Sequence, residues 1–472
     1  MRRDILSAYA ASISRVMSWV IVSAIVYRRS PEAFAMLALV RGTIGILNYV
    51  ALGLLPAMIR TLAARPKTAI ASGPVAPIPV NPIEEPIQLE YFTSRNIVYE
   101  DDADPVEPND HDQKTYSTGV AIASISALIG VVATGIAAAY ATKFYSIPVD
   151  LSSDDVQILI IGMGLGIALR WFTEPSAALL QTNHRIAMDN MILIATEFVW
   201  VLLVVIKFQT PPVPAYPRGP YDELSWIGAA YLAAGLVTLM GRSVAPSVLK
   251  IRYWALPDAS LFRPLLATGL LITLAQLADY LYSPTDYLLI NHLLAPLDLT
   301  HYAPAVQIDS GLLLLVTALG SVLLPKTALA HAAGDRAIVR TYYLRGTLAS
   351  AVTLLTASLV IYFASPFIFR VWFGNAMPGT VAILPLVLLN TVIGGSSAVG
   401  RAILIGIGKT KPFAVSVLMA GVTNVIFSVI FVKYFQMGLK GIILGTVVAV
   451  VVRCGIWMPW YVLRELDRGG EG

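Results

Sequence analysis

The chain has 472 residues, of which 57% are hydrophobic and only 13% charged, with a net charge of +4 at pH 7. Soluble domains carry about 25% charged residues, so a string of soluble domains is excluded, and the small net charge argues against a nucleic-acid binder. Its one cysteine, Cys454, cannot build a disulfide framework, a zinc site or an iron–sulfur site within one chain.

Crossing a bilayer takes about 20 apolar residues. Twelve such stretches are predicted, near 6–27, 34–62, 117–142, 155–180, 187–207, 225–248, 264–293, 301–330, 342–368, 380–407, 411–434 and 439–464. The first begins with a basic patch and runs apolar, like a signal peptide. It is span-length, however, and has no small-residue cleavage site before Arg28 and Arg29, so it reads as a retained helix. Between the second and third stretches, residues 66–114 are rich in proline and acid, from Pro74, Pro77 and Pro79 to Asp101, Asp102 and Asp104. Such a segment reads as an unfolded, cytoplasmic insert. With the N-terminus inside, cytoplasmic segments collect roughly twenty Lys/Arg against roughly eight outside. Arg2, Arg3, Lys250, Arg252, Arg336, Arg340, Lys409 and Lys411 contribute to this bias. An even number of spans then puts both termini in the cytoplasm. The expected fold is all-α: a polytopic membrane protein of about twelve transmembrane helices.

The twelve helices read as two lobes of six, residues 1–250 and 251–472. Ala51-Leu52-Gly53-Leu54-Leu55-Pro56 in the second span is echoed by Ala318-Leu319-Gly320 and Leu323-Leu324-Pro325 in the eighth. Leu179 to His184 leaves the fourth span as Leu404 to Lys409 leaves the tenth. Parallel repeats of this kind occur in two-lobed carriers, with the substrate path between the lobes.

The second half then carries an ordered series of short motifs: Thr285-Asp286-Tyr287, Tyr302-Ala303-Pro304-Ala305, Leu324-Pro325, Gly334-Asp335, Val371-Trp372-Phe373-Gly374, Gly408-Lys409, Asn424, Gly438, Gly441 and Gly445-Thr446. The first half adds Ser30-Pro31-Glu32-Ala33-Phe34, Gly53 and Arg60. In these the chain resembles the polysaccharide-biosynthesis membrane proteins of the multidrug/oligosaccharidyl-lipid/polysaccharide exporter superfamily, the O-antigen type of lipid-linked oligosaccharide flippase. It departs from them at Leu293 to Asp298, where Ala295 and Pro296 stand in place of a usual glycine. The resemblance implies a flippase or exporter in a bacterial inner membrane, moving a lipid-linked oligosaccharide for polysaccharide biosynthesis by alternating access. The implied partners are that glycan, membrane lipids and the polysaccharide assembly machinery; no cofactor is implied. It also implies a cationic central cavity formed largely by the first, second, seventh and eighth helices.

A charge at mid-membrane costs roughly 2.5–3.5 kcal/mol on insertion scales, so each should face protein or water. Arginine suits a lipid diphosphate, since it stays charged and its planar fork grips phosphate oxygens in pairs. Arg15, Arg41 and Arg170 are the candidate substrate-binding residues. Arg242 and Arg401, nearer span ends, read as structural ion pairs or snorkelling side chains. Arg170 and Glu174 lie four apart, on one helix face, where they would neutralise each other. Asp279 and Asp286 share a face of the seventh helix, with Pro284 between them. Two readings stand there: a kinked packing helix, or a hinge at Pro284 whose carboxylates bind a coupling cation or proton. Asp309 completes the acidic candidates, paired with Arg41 in an expected outer gate.

No nucleophile–base arrangement and no metal spacing is present, so catalysis is not expected. Gly408-Lys409-Thr410 lacks the strand and the first glycine of a phosphate loop. Gly162 to Gly166 and Gly441 to Gly445 read as small-residue spacings that let helices approach. Two alternatives remain: a cation-coupled drug or metabolite antiporter of the same superfamily, and a membrane-embedded glycosyltransferase or polymerase. The second would need a large polar outer loop, and the outer loops are short. A hydrophilic, Arg-rich cleft favours the flippase; a small, aromatic and acidic one favours the antiporter.

Overall fold

The structure is a computed structural model and describes residues 2–45, 47, 53–63, 110–183, 185–209, 223–252, 256–280, 283–332, 334–407 and 409–467. Among these residues there is no strand, and nine helices are long and apolar enough to cross a membrane. The paired segments Pro31–Ile44 with Leu54–Ala63 and Ala259–Tyr280 with Ser283–Leu293, and the helix Leu299–Ala332, complete twelve spans. They form two lobes.

Local chemistry sets the ends and breaks of the spans. The first, Arg2–Arg29, is followed after one residue by Pro31–Ile44. Ser30 caps that helix, accepting from Ala33 N at 3.0 Å, and Pro31 sits where no N–H is needed. The third begins at Asp110, not 117, because its first turns have a docking surface. Gln113 exchanges two hydrogen bonds with the backbone of Arg252, at 2.8 and 2.7 Å, and Thr118 Oγ1 accepts from Asp258 N at 2.9 Å. Residues 110–114, expected in the insert, are therefore helical; the rest of it lies outside the described residues. Just beyond, side-chain and backbone hydrogen bonds from Ser260 hold the Asp258 carboxyl below its usual range.

The fourth span breaks at Thr173, between Ser153–Phe172 and Glu174–Thr182; the tenth breaks at Ser397, between Pro378–Ser396 and Ala398–Gly406. Both end in a nine-residue segment. Both close on the same wide turn, Arg185 N to Leu180 O and Lys409 N to Leu404 O, each 2.8 Å. The repeat seen in the sequence is thus present in the backbone, with Leu180 rather than Leu179 opposite Leu404.

Within the first half, span 4 packs along span 6, span 1 along span 5 and span 3 along span 4. Small residues make the first of these close. A Cβ on Gly162 would run into the backbone of Gly228, and one on Gly235 into that of Gly166. Spans 11 and 12, 8 and 10, and 9 and 10 pack in the second half, where Gly445 admits Ser428 in the same way. The first segment of span 7 crosses the division. It packs on Leu54–Ala63 and Asp110–Ala139, and Leu265 joins Met58, Leu62 and Ile122 in one apolar cluster.

Even crossing places residues 2 and 467 on one side, the terminal face. Ser30 and the connections at 294–298, 374–377 and 434–437 lie on the opposite, far face.

Candidate cavity between the lobes

A cavity of about 860 Å³ lies between the lobes. Spans 1, 2, 4, 5 and 6 line it from one side, and Pro284, Tyr287, Val306, Gln307 and Ser310 of spans 7 and 8 from the other. The four expected helices do contribute, but so do spans 4 to 6. The lining runs from Phe34, near the far face, to Gln181, near the terminal end of span 4.

The far end is sealed by contacts between spans 1, 2 and 9. Arg28 Nη2 donates to the carbonyls of Val371 at 2.8 Å and Trp372 at 3.1 Å, capping the last turn of Arg336–Phe373 with a cation. Trp372 Nε1 donates back to Val20 O at 2.8 Å and Ser23 Oγ at 3.2 Å. Tyr27, Phe34 and Phe373 form an aromatic plug with ring centroids 5.0–5.8 Å apart. The connection at Ser146 adds two hydrogen bonds to Asn291 of span 7. The cavity therefore reaches toward the terminal face.

Arg15, Arg41 and Arg170 all line this cavity. Arg41 lies on the face of Trp19, with Cζ 3.3 Å from the ring centroid; Arg170 stands over Tyr231 at 4.9 Å. Trp200 packs against both rings, at 4.6 and 5.5 Å, so one aromatic wall carries two guanidinia. Arg15 projects with 58% of its side chain exposed and its Nε 4.0 Å from Glu197. Arg170 Nη1 reaches the same Glu197 oxygen at 3.5 Å.

Arg170 does not neutralise Glu174. The break at Thr173 rotates Glu174 away, and its carboxylate accepts from Leu55 N at 3.2 Å, satisfying an orphan N–H at the start of Leu54–Ala63. Arg41 does not pair with Asp309 either, although the far side is closed. Asp309 accepts from Thr391 Oγ1 and faces a different cavity. Arg242, expected to be structural, donates to Asp189 at 2.8 Å and Thr173 at 3.4 Å, and this buried pair also borders the central cavity. Sequence reasoning missed Asp189, which sits three residues into span 5 and looks like an end charge. It also missed the wall of Trp19, Trp200 and Tyr231, because aromatic residues recur on many apolar helices.

Residues 281–282, beside the expected hinge, lie outside the described residues. Ala259–Tyr280 precedes them, and Pro284 is the second residue of Ser283–Leu293. Asp279 is in the first segment, and its side chain lies outside the described residues. Asp286 is buried in the second lobe and accepts three hydrogen bonds: from Tyr302 Oη at 2.9 Å, Asn424 Nδ2 at 2.9 Å and Thr446 Oγ1 at 2.7 Å. Ser428 Oγ lies 3.1 Å from both Asn424 Oδ1 and the carbonyl of Ile442. One carboxylate thus accepts from side chains of spans 8, 11 and 12, with Ser428 and the Ile442 carbonyl bonded behind Asn424. Asp286, Asp309, Arg401 and Arg453 line a second cavity of about 520 Å³ inside this lobe, next to the central one across Val306 and Ser310.

Residues 272–430 match the MatE family model. None of the curated proteins compared with the chain matches it. Solved structures do. A multidrug resistance MATE family transporter of the MOP superfamily, in an inward-facing conformation, superposes with TM-score 0.73 at 13% identity, over 97% of this chain and 96% of its own. Lipid II flippase MurJ, inward closed, gives 0.66 at 13%, over 98% and 87%. A MOP superfamily transporter from Pyrococcus furiosus gives 0.63 at 14%, over 98% and 95%. The chain therefore has the two-lobed fold of these transporters, and the stretch similar to the MatE model runs across spans 7 to 11.

Proposed function

We propose that the protein is a carrier, not an enzyme, that translocates a lipid-linked oligosaccharide, a polysaccharide precursor, across a bacterial inner membrane by alternating access. The observation that carries this reading is the grouping of Arg15, Arg41 and Arg170 on one cavity wall between the lobes. Three guanidinia in a site walled off from the far side suit an anionic diphosphate, which two-pronged hydrogen bonds would hold. Lobes 1–250 and 251–472 rock about a hinge at Pro284, whose ring removes a helix hydrogen bond. The membrane lipid and the polysaccharide assembly machinery are its partners. Asp286 supplies the coupling site. Its carboxylate, with Asn424 Oδ1, Ser428 Oγ, Thr446 Oγ1 and the Ile442 carbonyl, offers oxygen-only donors of the kind a hard cation prefers. Asp309, accepting from Thr391 in the neighbouring cavity, and Asp279, in Ala259–Tyr280, are the further gating carboxylates.

The second reading is a cation-coupled drug or metabolite antiporter. Glu174, Asp189, Trp19 and Tyr231 on the same cavity favour it, since carboxylates and ring faces suit an organic cation. Reconstituted vesicles separate the two. The flippase reading expects a labelled polyprenyl-diphosphate oligosaccharide to change leaflet, with no gradient-driven uptake of cationic dyes. Dye uptake without glycan movement favours the antiporter and overturns the flippase.

The proposed topology has both termini and the 66–114 insert in the cytoplasm. Because Cys454 is the one native cysteine and is buried, Glu90→Cys provides a clean label site. It should react with a membrane-impermeant maleimide only after lysis. Labelling of intact spheroplasts contradicts the orientation.

A further inference from the structure

We infer that Glu197 is a built-in competitor for the substrate anion. From behind the cavity wall its carboxylate holds two of the arginines that a diphosphate would bind. The inference rests on the anion-binding reading of the cavity and adds what sets its affinity.

Glu197 projects from span 5, and only 5% of its side chain is exposed. Two arginines from different spans address one of its oxygens, Oε1: Arg170 Nη1 at 3.5 Å and Arg15 Nε at 4.0 Å. Both distances exceed the 2.7–3.2 Å of well-made N–H···O bonds. The other oxygen, Oε2, is buried without a partner among the described residues, and so are Nε and Nη2 of Arg170. Buried polar groups left in this state are costly. The neighbouring pair shows the contrast. Arg242 and Asp189 meet at 2.8 Å, with Thr173 and Gln181 as further partners, so that arginine is committed. Arg15 and Arg170 are not. They are held by an underused carboxylate behind the cavity wall, with donors to spare.

Glu197 does not line the cavity itself. A diphosphate bound there draws Arg15 and Arg170 toward its own oxygens and leaves Glu197 with a buried charge less well compensated. Binding therefore works against Glu197, and the same carboxylate helps draw the arginines back when substrate leaves. A carrier needs both, because a site that binds too tightly releases slowly.

Farnesyl diphosphate binding to the full-length protein in nanodiscs, followed by calorimetry with farnesol as the tail-only control, tests this. Glu197→Gln keeps the shape and removes the charge. It should tighten farnesyl diphosphate binding about tenfold, while slowing glycan translocation in vesicles. Glu197→Asp, which restores the charge, should return both toward wild type. A merely structural carboxylate predicts the opposite sign, with weaker binding and slower transport together. If the wild type binds and the glutamine variant binds equally or more weakly, the competitor role is overturned while the anion site stands. Absence of saturable binding in the wild type and both variants overturns the anion site and the competitor role with it.

Discussion

Replacing Arg15 by alanine should abolish translocation of a lipid-linked oligosaccharide while the protein still inserts and accumulates. More than half of the Arg15 side chain is exposed, it lines the cavity, and its acidic contact among the described residues is 4.0 Å long. Its removal therefore disturbs little packing. On the proposed reading, what it removes is a fork of two charge-assisted hydrogen bonds to the diphosphate. At about 1.5–3 kcal/mol for each such bond, and a factor of ten for each 1.4 kcal/mol, the loss is on the order of a hundredfold or more. Arg15→Lys should recover only part of it, because an ammonium keeps the charge and loses the planar fork. Initial rates in vesicles, normalised to protein in the membrane, measure the effect. Full activity of the alanine variant takes Arg15 out of the site.

The second large effect is expected at Asp286. Tyr302, Asn424 and Thr446 all donate to its carboxylate. Asp286→Asn replaces one acceptor with an NH₂ donor facing those donors. Such a mismatch costs about 1–3 kcal/mol of stability, and the variant also loses the charge that a coupling cation would meet. Transport should no longer respond to an imposed cation gradient, whatever residual rate remains. Asn424→Ala should weaken the same response by removing one oxygen donor. Unchanged gradient dependence in Asp286→Asn would place the coupling site elsewhere, with Asp309 as the next carboxylate to test.

Why some of this could be read from the chain and some not follows from range. The twelve spans were legible because bilayer thickness writes itself into local composition. The start of the third span was not, since residues 110–114 are polar and become helical by docking on the segment around Arg252. The repeat was visible at the ends of spans 4 and 10, out of register by one residue, because apolar helices leave little to anchor an alignment. Motif residues quoted separately, Asp286, Tyr302, Asn424 and Thr446, turn out to meet at one point across 160 residues of chain. Each was noticeable as a polar group in or beside an apolar run, and only the fold could join them. The three candidate substrate-binding arginines were likewise found singly, by the cost of charge in a membrane. Their partners were not. The turn at Thr173 separates Arg170 from Glu174, and Trp19 rather than Asp309 takes Arg41. Spacing along one helix cannot anticipate a break in it.

The most direct measurement is a structure of the protein with a polyprenyl-diphosphate oligosaccharide in a lipid nanodisc. The account predicts the diphosphate between the lobes, within hydrogen-bonding reach of Arg15 and of Arg41 or Arg170, at about 2.7–3.2 Å. A diphosphate held in the second-lobe cavity beside Arg401 and Arg453, or on the outer surface away from the three arginines, would contradict it.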